Sequence, residues 1–473
     1  MHRPCVMLAK MRRLALVLAL VTPACANRAK QSVSLYESGD YAGAARAADQ
    51  ELAGHPDDDA LWGMKIRAAL ALGDADGVAR AYEGYTAHRG DLDKELLQDL
   101  SEATIAQALA SPSAKLKMAA IEAIATLEIH VLADDVAQKM EDQDDRVAAT
   151  AAVAVLKGFP QAPQVADEMM RSENPEARRI AVDGIGKKVG KLALSDLEKA
   201  AADHDARVRR AAIYWLGALK DKDAVEVLTK RMHDPDDSVR AASAQALAKI
   251  GIGNLEAFAK QALGDHALAV RLAGVDLLAA AKRDDQLITL TDDTDPMVAL
   301  GAAIAVKKTR PELAKKALDR AVGAEEWTIR AGTANMLAMA VGKDDAKAYA
   351  QKLAGDTEVG VRLAAARALV HAGDRDTATR VFTAALGDAD QGIQAAADLA
   401  SLGDPAGMKA LSDATRDPKR TVEQRAAAAA AHRTAHRVTP GLVAALADPN
   451  GLVRIEAAAA LGALAAPWPK DAD

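Results

Sequence analysis

The chain has few aromatic residues, and this scarcity narrows its fold. Phe, Trp and Tyr make up 3% of the 473 residues, whereas half of the residues are hydrophobic and many of those are Ala. Small side chains suit helices that pack closely together. The composition therefore predicts a helical protein and argues against a β-sandwich or a β-barrel.

An excess of basic residues is also absent. The sequence has 60 Lys and Arg against 67 Asp and Glu, a net charge of −7 at pH 7. It contains no basic stripe with interleaved aromatic residues, which is the pattern expected of a nucleic-acid-binding surface. We therefore predict no nucleic-acid partner.

Cysteine is nearly absent, and one of the two cysteines lies in a segment that reads as an export signal. A short basic region, Met11-Arg12-Arg13, precedes an apolar run of eight residues, 14–21, which is too short to span a bilayer. This arrangement favours a translation start at Met11 or Met7, which would leave Cys5 outside the protein. No disulfide is expected, although export would place the chain in an oxidising compartment.

Two ways of processing this segment are open. One resembles a bacterial lipoprotein signal, with cleavage before Cys25 and acylation of its thiol, although Thr22 stands where Leu is usual. The other is cleavage after Ala26. We favour the first, with residues 1–25 as the signal peptide, which predicts a membrane-anchored lipoprotein facing the periplasm. The second predicts a soluble periplasmic protein.

A unit of about 31 residues recurs from Ser111 to the C-terminus. Residues 234–240 and the Ala-rich run that follows are its clearest copy. With the Val before Arg240 as reference, an Asp stands five positions earlier in nine of twelve copies, and a basic residue follows in eight. A period this regular indicates a stacked repeat array. The reference residues are Leu116, Val147, Ala177, Val208, Val239, Val270, Val298, Ile329, Val361, Ile393, Val422 and Val453.

Each unit predicts a hairpin of two helices. The loop Asp residues end one helix and cap the next, because a short side-chain oxygen accepts from free backbone N–H groups. Val239, Ala242, Ala246, Leu247 and Ile250 have the spacing of one helical face. One hairpin cannot bury that face alone, so stability must come from stacked neighbours.

The pattern resembles the HEAT repeat, most closely the short Ala-rich kind named after phycobilisome lyases, over about residues 101–466. The resemblance implies a ladder of hydrogen bonds between the loop Asp and the following Arg of neighbouring repeats. The ladder residues are Asp203, Arg209, Asp234, Arg240, Asp265, Arg271, Asp356, Arg362, Asp448 and Arg454.

The ladder pattern has gaps. Ala299 and Gln394 replace the basic residue, Glu423 reverses its charge, and Ala324 replaces the Asp. The repeat before Val298 is also short, at 28 residues. We therefore predict that the stack is weakest between residues 293 and 330.

The segment before the array contains a second, shorter repeat. Gly39-Asp40 and Gly73-Asp74 lie 34 residues apart, each between two helical runs. This resembles about two tetratricopeptide repeats, and a generic pair of helical hairpins is the alternative. The predicted fold is all-α: a tetratricopeptide-like module over 26–100, an α-solenoid of about twelve HEAT-like hairpins over 101–466, and a tail over 467–473.

No residue pattern predicts catalysis, a cofactor or a metal site. His432 and His436 are four residues apart but have no evident third ligand, so we predict surface histidines. Asp388 and Asp390 resemble a calcium loop, but Leu399 stands where an acidic ligand is needed. The sequence therefore predicts a protein that is not an enzyme.

The most variable positions of the second helices suggest a partner-binding face. Positions two and six after the reference residue share one face, and in HEAT-like stacks this helix lines the concave side. Apolar residues with a charged rim are typical of a partner site. Packing of Leu272, Leu300 and Ile304 against the neighbouring repeat is an equally open interpretation. The candidate residues are Arg179, Arg210, Tyr214, Gln245, Leu272, Asp276, Leu300 and Ile304.

Together these features predict a non-enzymatic scaffold, exported to the cell envelope and anchored by lipid on Cys25, that binds a protein partner. The resemblance to phycobilisome-lyase repeats implies an alternative, an enzyme-associated role on a partner that bears a chromophore or cofactor. A third interpretation is assembly of an envelope complex through residues 26–100, with the long array as a spacer.

Overall fold

The computed structural model describes residues 28–89 and 91–467. The predicted signal peptide, the start at Met11 and the lipid-attachment residue Cys25 lie outside these ranges. Within them all regular structure is helical, as predicted, and no helix combines the length and apolar character needed to cross a membrane. The chain divides into two compact units, one made of residues 28–108 with 408–467 and the other of residues 109–407.

The helices follow one another with short connections. The first five are α1 (Lys30–Glu37), α2 (Tyr41–Leu52), α3 (Asp59–Leu72), α4 (Ala75–His88) and α5 (Lys94–Leu109). The next nine are α6 (Ala114–Leu127), α7 (Ala133–Gln138), α8 (Asp145–Ala154), α9 (Ala162–Met169), α10 (Pro175–Lys188), α11 (Leu194–Ala200), α12 (Ala206–Ala218), α13 (Val225–Arg231) and α14 (Asp237–Ile250).

The remaining helices continue the same alternation. They are α15 (Leu255–Leu263), α16 (Leu268–Ala280), α17 (Asp284–Leu290), α18 (Pro296–Ala305), α19 (Pro311–Val322), α20 (Trp327–Ala340), α21 (Lys343–Leu353), α22 (Val359–Ala372), α23 (Arg375–Ala385), α24 (Gly392–Ser401), α25 (Pro405–Ala414), α26 (Val422–Ala435), α27 (Pro440–Ala444) and α28 (Gly451–Ala465).

The unit of residues 109–407 is a stack of helical hairpins in which each second helix packs on the next. At Gly217 a Cβ atom would lie 2.7 Å from the Cβ of Ala246, so α12 and α14 approach too closely for any larger residue. The buried core falls into two main clusters, one from Ala152 to Val306 and one from Leu300 to Leu399. The predicted α-solenoid is confirmed.

In several repeats, the loop before the second helix uses two polar side chains, as residues 234–236 show. Asp234 accepts a hydrogen bond from the backbone N–H of Asp236 (3.1 Å), which turns the chain. Asp236 then caps α14 by accepting from the N–H groups of Ser238 (2.9 Å) and Val239 (3.3 Å). The same two-step turn explains why the repeat pattern has two acidic positions separated by one residue.

The unit of residues 28–108 and 408–467 joins the two ends of the described chain. Asp40 and Asp74 cap α2 and α4. Their side chains accept hydrogen bonds from the backbone N–H groups of Gly43 and Gly77, both at 2.8 Å. Helix α4 packs on α27, whose residues Gly441 to Ala444 are buried. Gln98 donates to the carbonyl oxygens of Ala465 (3.0 Å) and Pro467 (2.9 Å). Helices α4 and α5 therefore contact the last repeats.

Candidate partner-binding groove on the second helices

Hydrogen bonds of the ladder join the loops of neighbouring repeats. Nε and Nη2 of Arg209 donate to the two carboxylate oxygens of Asp234 at 2.8 and 2.6 Å, while Nη1 donates to the carbonyl oxygens of Asp203 and His204 at 2.8 and 3.0 Å. The Asp234 side chain is fully buried and that of Arg209 is 9% exposed. All three guanidinium nitrogens of Arg209 therefore donate to protein oxygens, which indicates a structural role for the pair.

The other ladder residues form only some of these contacts. Arg240 pairs with Asp265, and this hydrogen bond lowers the pKa of the Asp265 carboxyl. Asp356 receives its bidentate contact from Arg330. Arg362 and Arg454 each donate to two carbonyl oxygens of their own preceding loop, and within residues 28–89 and 91–467 neither forms an ion pair.

Two ladder positions differ from the repeat alignment. Nη2 of Arg271 donates to Asp295 (2.6 Å) rather than to Asp293, because this repeat is shortened and the capping carboxylate lies within reach. The residue that pairs with Asp448 is Arg425, not position 423. A capping box of Thr421 and Gln424 fixes the start of α26, and the ladder Arg follows its cap by four residues, as Arg240 follows Asp236.

The loop that lacks a ladder Arg at Ala299 has a substitute donor. Nη1 and Nη2 of Arg320, on α19, donate to the carbonyl oxygens of Asp293 and Thr294, both at 2.5 Å. These carbonyls are equivalent to the two that Arg209 contacts in its own loop. The following repeat thus supplies the hydrogen bonds that the sequence pattern omits.

The prediction that His432 is a surface residue is wrong. Its side chain is fully buried in the unit that contains α26 and α27. Nδ1 donates to the carbonyl of Ala428 (2.9 Å), so Nε2 accepts from the hydroxyl of Thr439 at 2.9 Å. His436 is exposed in the left-handed region that ends α26. In the described part of the chain, no cluster of three residues is arranged to hold a metal ion.

A groove of about 390 Å³ lies on the second helices of three successive repeats, α10, α12 and α14, and reaches Ala269 of α16. Small residues, Ala211, Ala242 and Ala246, form its floor. Polar and aromatic side chains line it, namely Arg179, Asp183, Arg207, Arg210, Tyr214, Ser238, Gln245 and Lys249. Four of the predicted partner-binding residues, Arg179, Arg210, Tyr214 and Gln245, are thus brought together.

The cations of the groove fall into two classes. Arg179 is held by Glu176 (2.7 Å) and Asp183 (2.6 Å), and Arg207 by Asp205 (2.9 Å). Arg210 and Lys249 are exposed, and neither forms an ion pair among the described residues. Neither charge is neutralised by a carboxylate in direct contact, although Lys249 also lies near Asp276.

Tyr214 stands between these free charges. Its side chain is 52% exposed, and Nζ of Lys249 lies 5.2 Å from its ring centroid. The ring meets Trp215 edge-on at 5.2 Å, and Nε1 of Trp215 donates to Asp183 (3.0 Å). These contacts fix an aromatic surface beside two cations before any ligand arrives.

The predicted apolar part of the face is absent from this groove. Leu300 is fully buried, and half-buried Leu272 and Ile304 pack against the core clusters. For Leu300 the partner-site interpretation is wrong, because the side chain packs into the stack. Asp276 is exposed on α16, where partial burial of its carboxyl raises its pKa and Lys249 opposes that shift.

Sequence reasoning missed Lys249 and Trp215. Lys249 follows Gln245 by four residues and therefore shares its helical face. Extending the variable positions by one further turn would have found it. Trp215 carries no periodic signal, and its role depends on the distance to Asp183 on another helix.

Comparison with known proteins supports the repeat assignment. The HEAT-repeat family matches residues 162–248. The complex of CpcE and CpcF of phycocyanin lyase from Nostoc sp. PCC7120 is 23% identical over 48% of this chain and 94% of that chain, with a TM-score of 0.32. The Escherichia coli protein YibA is 19% identical over 53% and 90%, with a TM-score of 0.33.

A larger solenoid protein shows a similar likeness. Kap121p is 13% identical over 83% of this chain and 51% of that chain, with a TM-score of 0.33. Identities and TM-scores this low give no basis for transferring an activity or a partner. No curated protein matches the sequence.

Proposed function

We propose that the chain is a non-enzymatic HEAT-repeat scaffold that binds a protein partner through the groove on α10, α12 and α14. The observation that carries the proposal is the exposed set of Arg210, Tyr214 and Lys249. Other cations of the groove are paired, whereas these two face an open surface beside a fixed aromatic ring. Aromatic and Arg side chains are enriched in protein interfaces.

The partner segment that fits this groove is acidic. Two unpaired cations attract carboxylates, and the small floor residues allow the backbone of a bound segment to approach the helices. Tyr214 offers an apolar face for the aliphatic part of such a segment. The array would thus hold an acidic, extended or helical stretch of another protein.

The test compares cross-linked partners captured from solubilised envelopes by three forms of the full chain. In the groove variant, Arg210→Glu with Lys249→Glu, we expect loss of the partner captured by the natural chain. The two new carboxylates would repel the acidic segment of the partner. The control variant, Lys260→Glu with Lys352→Glu, makes the same charge change at exposed lysines outside the groove. Equal capture by all three forms would overturn the groove assignment.

The location of the scaffold at a bacterial envelope is part of the same proposal. It is supported by the basic and apolar residues before Cys25. A Cys25→Ser variant should lose incorporation of labelled fatty acid and move from the membrane to the soluble fraction. Two results would contradict the lipid anchor: no incorporation of labelled fatty acid by the natural chain, or membrane partition of the Cys25→Ser variant equal to that of the natural chain.

Absence of catalysis is also a proposal. The sequence resemblance to phycobilisome-lyase repeats leaves a role on a chromophore- or cofactor-bearing partner as the alternative. Visible absorbance in the purified protein or in the captured partner would favour that alternative over a plain scaffold.

A further inference from the structure

Three successive connections in the unit of residues 109–407 lie side by side and form one edge. None of the residues that line the groove belongs to this edge. We define this loop edge as residues 128–133, 155–161 and 187–193; each segment spans the connection from a second helix to the next first helix, and the third includes the last two residues of α10. Nζ of Lys188 donates to the carbonyl of Ala154 (2.8 Å), the last residue of α8, which directly precedes the second segment. A shallow cavity of about 290 Å³ is lined by His130, Lys157, Phe159 and Lys188 from all three.

Aliphatic side chains protrude from this edge. Leu192 is 91% exposed, Val131 51% and Val189 37%. Val131 and Leu192 lie in short 3-10 turns and Val189 follows the end of α10, and all three are left exposed by the neighbouring repeats. Exposed apolar residues concentrated in one region mark an interaction surface.

The charge of the loop edge is opposite in sign to that of the chain. Lys157, Lys187 and Lys191 are exposed, and none of them forms an ion pair in the described ranges. The pKa of Lys188 is lowered by burial and further by the positive charges of Lys187 and Lys157, so the lysines are close enough to repel one another. The first segment carries Glu128 and is followed at once by Asp134 and Asp135, so the positive charge is concentrated in the second and third segments, which contain no acidic residue. An anionic surface would relieve this repulsion.

We propose that the loop edge binds the surface of an anionic lipid bilayer. Lysines would contact the headgroups, while Leu192 and Val131 would enter the boundary between headgroups and acyl chains. The protruding aliphatic tips fit a soft, extended surface better than a shaped protein partner, which would offer a pocket for them to fill. The proposal goes beyond the scaffold function and does not depend on the groove.

The test is co-sedimentation of the full chain with vesicles of phosphatidylcholine alone or with 30% phosphatidylglycerol. The edge variant carries Lys157→Gln, Lys187→Gln and Lys191→Gln. Because each lysine near such a surface changes binding roughly fivefold, we expect roughly 100-fold weaker binding to the anionic vesicles. Binding to neutral vesicles should not change. Leu192→Ser should weaken anionic binding further by up to about tenfold.

A charge-matched control carries Lys260→Gln, Lys352→Gln and Lys419→Gln, which are exposed lysines outside the loop edge. It should bind anionic vesicles like the natural chain. Any vesicle binding by the apolar residues 14–21 is the same in all forms, because none of the substitutions changes that segment. Equal binding by the edge variant, or an equal loss in the control, would overturn the proposal. Partner capture by the edge variant should be normal, so failure of the groove proposal is recognised separately.

Discussion

At the scale of single residues, the buried ion pairs of the ladder are the positions where one substitution should matter most. Asp234 accepts from Arg209, from Arg231 (3.4 Å) and from its own loop, with no exposed surface on its side chain. Removing one partner of a buried pair leaves an uncompensated charge, and that loss exceeds the net contribution of the intact pair.

Arg209→Met should therefore destabilise the local stack by about 3–5 kcal/mol. A long repeat array need not unfold in one step, so the quantity to measure is the opening free energy of α12 and α14 by hydrogen exchange. The control is Arg362→Met, because Arg362 contacts two carbonyl oxygens of its own loop and should cost only about 1–2 kcal/mol. Equal losses at the two sites would show that the carboxylate contact contributes little.

His432 gives a prediction with a definite sign. Burial lowers the pKa of His432, so the folded state favours the neutral ring more than the unfolded state does. This contribution to stability is fully present above the ordinary His pKa of about 6.5 and is lost as the pH falls toward the folded-state pKa. Exchange in α26 and α27 should accelerate below about pH 6.5 relative to the intrinsic rate.

Two variants identify the group responsible for that acid sensitivity. His436→Gln should retain it, because His436 is exposed. His432→Gln should remove it, whatever its effect on absolute stability. If the natural chain and His432→Gln show the same pH dependence, another group titrates.

At the scale of helices, the junction near α18 is where the array has least support. The two main core clusters meet between Leu300 and Val306, and the ladder contact at Ala299 is missing. Arg320 replaces its two hydrogen bonds from the following repeat. The predicted weakness between residues 293 and 330 stays a prediction, and Arg320 is a contact that should reduce it.

Arg320→Ala should raise the hydrogen-exchange rate of α18 about tenfold, since two hydrogen bonds from an exposed charged donor contribute about 1–2 kcal/mol. Arg310→Ala is the control, because Arg310 pairs with Glu312 within its own helix start and contacts neither carbonyl. If α18 exchanges as slowly as α12 and α14 in the natural chain, the junction is not weak.

The sequence predicted the hairpins well because their signals are local and periodic. The turn at Asp234 and the cap at Asp236 use residues two or three positions apart, so the pattern contains them directly. It failed at residue 423 because the loop before α26 differs in length, and there the capping box and not the period sets the register. It missed the Trp215–Asp183 contact because that pair spans two helices.

At the scale of the molecule, the joining of the first helices to the last repeats could not be predicted. Lys94 donates to the carbonyl of Ala466 (3.0 Å), and Asp76 lies 3.5 Å from Arg416, contacts between residues more than 300 positions apart. No repeat period relates such residues, and the sequence of α27, Pro440–Ala444, carries no motif that points to α4. The sequence pattern therefore predicted only that a tetratricopeptide-like module over 26–100 precedes the array.

This packing predicts what removing the first helices does. Deleting residues 28–88 should expose the buried face of α27 and raise its hydrogen-exchange rate at least tenfold, because apolar burial of about 25 cal/mol per Å² is lost there. Helices α12 and α14 lie in the other compact unit and serve as an internal standard for folding. If α27 stays protected in the deletion variant while α12 and α14 are unchanged, the last repeats fold without the first helices. Faster exchange confined to α27 and its neighbours would show that the two ends of the chain form one cooperative unit.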